Sequence, residues 1–129
     1  MTTRTGRCLC GAVRYRFSGA MLWQAHCHCE SCRRNTSAPL TTFFAVPKHD
    51  FAFEGGEPGT YASSPGVLRR FCRNCGTPMS YEYSGKPDEI HLYAVSLDES
   101  GDVAPERHDF WNERVPWLSV TDDLPKHEG

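Results

Sequence analysis

Apolar and polar positions alternate along this chain in short runs. Val13, Tyr15 and Phe17 alternate with Arg14 and Arg16, the two-residue period of a strand with one buried face. Met79, Tyr81 and Tyr83 repeat that period against Ser80 and Glu82. Residues 40–46 predict a strand closed by Pro47. Residues 51–53 predict a short one before the turn-forming pairs Gly55-Gly56 and Pro58-Gly59. Residues 67–71 predict a strand running into Cys72. Residues 90–95 carry the most buried pattern, and 115–120 predict a last strand, interrupted at Pro116.

No segment holds a 3.6-residue apolar period for three turns, so helix is nearly excluded. The one short helix predicted covers residues 30–37 and begins inside a group of cysteines. The chain therefore reads as mainly β, with many short strands. The polar tail, 121–129, is expected to be loosely held. No repeat, low-complexity tract or linker divides the sequence, and its 129 residues suit one domain.

Composition narrows the classes. Fourteen Lys plus Arg against sixteen Asp plus Glu leave a formal net charge of -2, with 39% hydrophobic residues. That balance is globular, and it argues against a nucleic-acid binder held by bulk charge. No apolar run of about 18 residues predicts a membrane span. The polar start, residues 1–7, lacks the apolar stretch of a secretory signal, so a cytoplasmic location is expected.

Seven cysteines are the unusual feature. An odd number cannot all pair within one chain, and in a reducing compartment clustered cysteines point to metal or catalysis. They fall in three groups: Cys8-Leu9-Cys10-Gly11, Cys27-His28-Cys29-Glu30-Ser31-Cys32, and Cys72-Arg73-Asn74-Cys75-Gly76. Seven divides into four and three. Four thiolates make a closed, structural zinc site; three leave a coordination position open for substrate. Taking Cys8, Cys10, Cys72 and Cys75 together keeps the compact triplet Cys27, Cys29 and Cys32 intact, and that division is preferred. Spacing leaves open a rival, with Cys8, Cys10, Cys27 and Cys29 in one site and Cys32 beside Cys72 and Cys75. A redox-active CxxC and a single zinc with a free triplet are further alternatives. His26 and His28 are the nearest candidates for a fourth ligand of the triplet, although roles outside the metal shell are commoner.

Thiolate-held zinc leaves net negative charge that something must offset. Arg7, Arg33, Arg34, Arg69, Arg70 and Arg73 all lie near the cysteines in sequence. Most are expected to be solvated; one or two are expected to stabilise thiolates or to dock a carboxylate.

The order CLCG, CHCESC and FCRNCGTPMSY resembles the glutathione-dependent formaldehyde-activating enzyme family, which includes centromere-protein-V-like domains. The resemblance continues through Val95-Ser96-Leu97-Asp98, His108, and Trp117 before Asp122-Asp123-Leu124-Pro125, from about residue 7 to 125. It implies an Mss4-like β-tent of several small antiparallel sheets stabilised by zinc, formed by one zinc-binding domain over residues 1–129. It implies two zincs per chain: a structural one on Cys8, Cys10, Cys72 and Cys75, and a catalytic one on Cys27, Cys29 and Cys32. The activity implied is a carbon–sulfur lyase reaction, condensation of formaldehyde with glutathione to S-hydroxymethylglutathione. Where the family often has glycine, this chain has Ser37.

On that reading the open zinc is a Lewis acid or a thiolate receptor, with small-molecule thiols such as glutathione as partners. Glu30 and His28 are placed to move a proton, against the plainer role of Glu30 as a first-turn acid on the helix. Trp23, Phe43, Phe44, Tyr81 and Tyr83 are read as packing. His91 falls on the face opposite Ile90 and Leu92, towards a cleft or solvent, and His108 is not assigned to catalysis. Two other classes stay open: a non-enzymatic zinc-binding interaction or chaperone-like module, and a cysteine-based redox or metal sensor.

Overall fold

The structure, a computed structural model, describes residues 2–129. In chain order its strands are β1 (Thr3–Arg7), β2 (Val13–Ser18), β3 (Trp23–Cys27), β4 (Thr41–Pro47), β5 (Phe51–Gly55), β6 (Gly59–Ser64), β7 (Val67–Phe71), β8 (Pro78–Tyr83), β9 (Glu89–Tyr93) and β10 (His108–Asp109). The α-helix among the described residues is α1 (Glu30–Thr36). It is far too short to cross a membrane.

Two sheets result. The smaller has the order β1-β2-β5; the larger runs β10-β3-β4-β9-β8-β7-β6. The pairings are antiparallel except β10 with β3, so the larger sheet is mixed where a purely antiparallel one was expected.

The alternation read from β2 is real: Val13, Tyr15 and Phe17 are buried, while Arg14 and Arg16 face solvent. They pack against Phe44 and Val46 of β4 and Ile90 and Leu92 of β9. Phe17 and Phe44 meet with ring centroids 5.4 Å apart. Burying such a side chain contributes about 1.5–3 kcal/mol. The Tyr15 hydroxyl, carried into this core, hydrogen-bonds Ser96 Oγ at 2.7 Å. β4 is buried on both faces: Phe44 looks into the main core, and Phe43 joins Tyr93 and Cys32 in a second, smaller cluster.

Several expectations need correction. The strand predicted over residues 90–95 ends at Tyr93; Ala94–Ser96 is a 3-10 turn that leaves Val95 87% exposed. Residues 115–120 form no strand. Pro116 lacks an N–H for a ladder, the chain turns there, and Trp117 is exposed. β1, β3, β6 and β10 lie in segments for which no strand was predicted. The tail is held rather than loose: His108 N donates to Pro125 O, His127 N to His108 O, and Trp111 N to His127 O, each at 2.8 Å.

Helix α1 ends one residue before the predicted 37. Ser37 sits in the left-handed region at φ 52°, its N–H closing on Arg33 O. That conformation favours glycine, which accounts for the glycine expected there from the resemblance.

Candidate metal centres

All seven cysteines are free thiols, and their sulfurs gather into two groups. Cys8, Cys10, Cys72 and Cys75 form one; Cys27, Cys29 and Cys32 form the other. Within each, the ligand atoms all lie within 4.8 Å of one another. The preferred division is therefore the one the fold brings together.

The quartet is built from two loops with the same physics. The loop after β1 carries Cys8 and Cys10, and the β7–β8 loop carries Cys72 and Cys75. Gly11 and Gly76, both at φ 81°, let each loop fold back so that backbone N–H groups aim at sulfur. Val13 N donates to Cys8 Sγ at 3.3 Å, and Ala12 N to Cys10 Sγ at 3.5 Å. Asn74 N and Cys75 N reach Cys72 Sγ at 3.3 and 3.4 Å. Asn74 Nδ2 adds a bond to Cys10 Sγ at 3.2 Å. Such donors favour thiolates. The Thr77 hydroxyl, first among its partners, lowers Cys75 to about 5. Sulfurs at about 2.3 Å around a tetrahedral zinc stand about 3.8 Å apart. Cys8 to Cys10 is 3.7 Å and Cys10 to Cys72 is 3.8 Å, so the four residues fit the ion.

The triplet comes from one turn of chain, where β3 runs into α1. Cys29 caps the helix, its sulfur accepting from Cys32 N at 3.3 Å. Hydrogen bonds from Cys27, then Cys32, hold Cys29 as a thiolate at about 2, while the same contacts push Cys27 up. Three such donors on one turn of chain suit a zinc ion that replaces the shared protons.

Of the six arginines, Arg69 alone turns its guanidinium on a cysteine sulfur. It is 5% exposed, with Nη1 and Nη2 at 3.8 and 3.9 Å from Cys32 Sγ, and its Nε donates to Ser63 Oγ at 3.0 Å. It also lies 5.0 Å from the Tyr81 ring centroid. The others are spent elsewhere. Arg7 bonds the carbonyls of Cys8 and Leu9, Arg33 the carbonyl of His28, Arg34 pairs with Glu30, Arg70 with Glu82, and Arg73 is exposed.

The histidines of the cysteine motif face away from the triplet. His28 is buried, and its Nε2 meets His108 Nδ1 at 2.8 Å; His108 Nε2 donates to Asp122 at 2.9 Å. Burial, then His108, lowers His28 to about 4, so it is neutral at pH 7. His26 bonds Thr42 Oγ1 at 2.8 Å and stacks on His108. It groups with His108 and Asp122, not with the cysteines. These histidines lock β3, β10 and the tail together behind the triplet. The exposed Glu30 carboxylate is taken by Arg34 at 2.7 Å, in the plain helix role.

In front of the triplet opens a cavity of about 780 Å3. Cys27, Cys29 and Cys32 line it together with Trp23, Phe43, Arg69, Tyr81 and His91. His91 thus faces the cleft, one of the two outcomes that its alternation with Ile90 and Leu92 allowed. Lys86, Arg107 and Glu113 line the same space, and nothing in the sequence pattern singled them out. A second cavity, near Cys8, reaches none of the triplet.

The family described as glutathione-dependent formaldehyde-activating enzyme matches residues 3–113. An uncharacterized lyase of Schizosaccharomyces pombe is 37% identical over 89 residues, 69% of this chain and 64% of the relative, so less than two thirds of that protein is spanned. A Halomonas elongata protein, assigned by name only to glutathione-dependent formaldehyde activation, is 27% identical over 127 residues, 89% of this chain and 79% of its own. A crystal structure of a Rhodobacter sphaeroides protein shares the fold, with a TM-score of 0.64 at 21% identity over 76% of this chain and 91% of that one. By the extent of the family match and the two cysteine groups in their expected order, the chain belongs to the glutathione-dependent formaldehyde-activating enzyme family.

Proposed function

We propose that this chain is one zinc-binding domain acting as a carbon–sulfur lyase on an adduct between an aldehyde and a small-molecule thiol such as glutathione. Cys8, Cys10, Cys72 and Cys75 would hold a structural zinc, and Cys27, Cys29 and Cys32 a second one. The observation that carries the reading is that the triplet forms part of the wall of a cavity of about 780 Å3, within the roughly 300–1,000 Å3 that suits a drug-sized ligand.

Zinc bound there supplies a positive centre that favours a thiol as its thiolate. The chain's own residues do the rest. Arg69, against Cys32 Sγ, offsets the negative charge of the three sulfurs. The half-buried aromatic wall shields the reacting atoms from water on its side of the cavity. Tyr81, His91 and Glu113 are among the cavity-lining groups able to hold or pass a proton. In the condensation the thiol sulfur bonds to the carbonyl carbon, the carbonyl double bond opens, and the thiol proton ends on oxygen. The lyase direction reverses each change, and no electrons enter or leave.

The test is the exchange rate between glutathione, formaldehyde and S-hydroxymethylglutathione at equilibrium, followed by NMR with zinc-loaded protein. The parent is expected to accelerate exchange, and Cys29→Ser to lose the acceleration while keeping one zinc. No acceleration with both zincs bound would reject the reaction.

A further inference from the structure

The cavity in front of the triplet is more apolar than either reactant of the formaldehyde reaction requires. Trp23, Phe43, Tyr81 and His91 make a continuous ring surface. Trp23 meets His91 edge-on at 4.6 Å, Tyr81 stacks on His91 at 5.5 Å, and Phe43 lies 6.3 Å from Tyr81. Formaldehyde is one carbon and one oxygen. Glutathione is a polar, charged tripeptide. Neither presents an apolar face to these rings, and an apolar cavity wall left in water forgoes the free energy that a matching surface would recover.

We infer that the aldehyde handled at this site carries an apolar or aromatic group, so that the adduct is an S-(1-hydroxyalkyl) thiol larger than S-hydroxymethylglutathione. This rests on the lyase reading and specifies its substrate class. The cysteine sulfurs pack in the same cluster as Phe43, Trp23 and Tyr81. The reacting carbon must sit beside those sulfurs, so the substituent on that carbon, one bond away, falls on the rings.

The thiol's charged end has a different destination. Lys86 Nζ stands 5.9 Å from the Trp23 ring centroid, and it has no carboxylate partner among the described residues. Arg107, on the same ring at 5.0 Å, is already paired through Nε with Asp109 at 2.9 Å. Lys86 is therefore the cation available to a carboxylate at the cavity's edge. The bond changes are those of the formaldehyde case: sulfur to carbonyl carbon, proton to oxygen, with no oxidant or reductant.

Two measurements decide it. The first compares exchange of glutathione with formaldehyde and with phenylacetaldehyde, each relative to its uncatalysed rate. Phenylacetaldehyde is expected to gain at least tenfold more. The second titrates the protein with two non-reacting thioethers, S-methylglutathione and S-benzylglutathione, by calorimetry. The benzyl compound is expected to bind roughly tenfold or more tightly, the scale of burying a phenyl ring. Trp23→Leu, and independently Tyr81→Ala, should narrow that ratio. Acceleration of formaldehyde alone, or equal affinity for the two thioethers, overturns the inference and leaves the lyase reading standing. Acceleration of neither aldehyde overturns both.

Discussion

The quartet joins two hairpins far apart in sequence, whereas the triplet is made by six consecutive residues, Cys27 to Cys32. Cys10 and Cys72 are 62 residues apart yet 3.8 Å from each other. Cys8 and Cys72 are each 1% exposed and belong to the main core beside Tyr15 and Leu97. Four backbone N–H groups and the Asn74 amide close over that group. The triplet has a single backbone donor, Cys32 N on Cys29, and a cavity on its other side. On the proposed reading the same ligand atom serves two ends: the long-range quartet with its closed donors would hold the fold, and the local triplet with one open side would leave room for chemistry.

The largest expected effect breaks this contrast at its strongest point. Cys72→Ser would remove one of the four proposed ligands that tie the β1–β2 hairpin to the β7–β8 hairpin. A structural zinc contributes folding free energy comparable with the whole stability of a small domain, about 5–15 kcal/mol. The variant should be unfolded or insoluble, with no cooperative melting transition. Cys29→Ser should melt cooperatively near the parent's midpoint and lose one zinc by metal analysis. A soluble, well-folded Cys72→Ser protein would refute the assignment of the quartet as the structural site.

Spacing shows the local cysteine pairs and the compact triplet but leaves their division open; which pairs come together across the chain needed the fold. Strands with one buried face, such as β2 and β9, were equally readable, since alternation is a local signal. β1, β3 and β10 were not. β1 buries only Gly6 and β3 only Ala25 below the surface, and β10 is two residues long. Their pairing comes from backbone hydrogen bonds, to which the side-chain pattern is blind. The same holds for the tail, whose Pro125 and His127 bond β10 and Trp111 through the main chain. The histidine relay was hidden for another reason. His28 and His108 are 80 residues apart, and each alone reads as a surface or motif histidine.

A smaller effect sharpens the comparison on the triplet's side. Arg69→Met removes the cation facing Cys32 and keeps a long apolar stem against Tyr81. Groups that support metal ligands typically change affinity by about 10–100-fold. Zinc affinity at the triplet should fall on that scale, read by competition with a chromophoric chelator, while the quartet's zinc is unchanged. Arg69→Lys should fall between, because an ammonium keeps the charge and loses the planar fork that spans both contacts to the sulfur. Equal affinity in all three proteins would assign Arg69 to packing alone.

The smallest effect concerns the acid inside the cysteine motif. Glu30 sits between two triplet cysteines in sequence, which invites a proton-transfer role. Its carboxylate points outward to Arg34, one turn along the exposed face of α1, and the arginine lowers it for that reason. Glu113 does line the cavity, beside Asp109, which is paired with Arg107, and its Oε1 also accepts from Glu30 N at 3.0 Å. The backbone of residue 30 thus delivers a different carboxylate to the site than its own. Glu30→Gln should leave both the melting midpoint and the thiol–aldehyde exchange rate at the parent's values, since an exposed helix pair adds little. Glu113→Gln should slow exchange, with the amide oxygen still able to accept from Glu30 N and so preserve the turn. The reverse order, with Glu30→Gln slow and Glu113→Gln normal, would mean that motif proximity outweighs the geometry of the cavity and that the proton moves from the helix side.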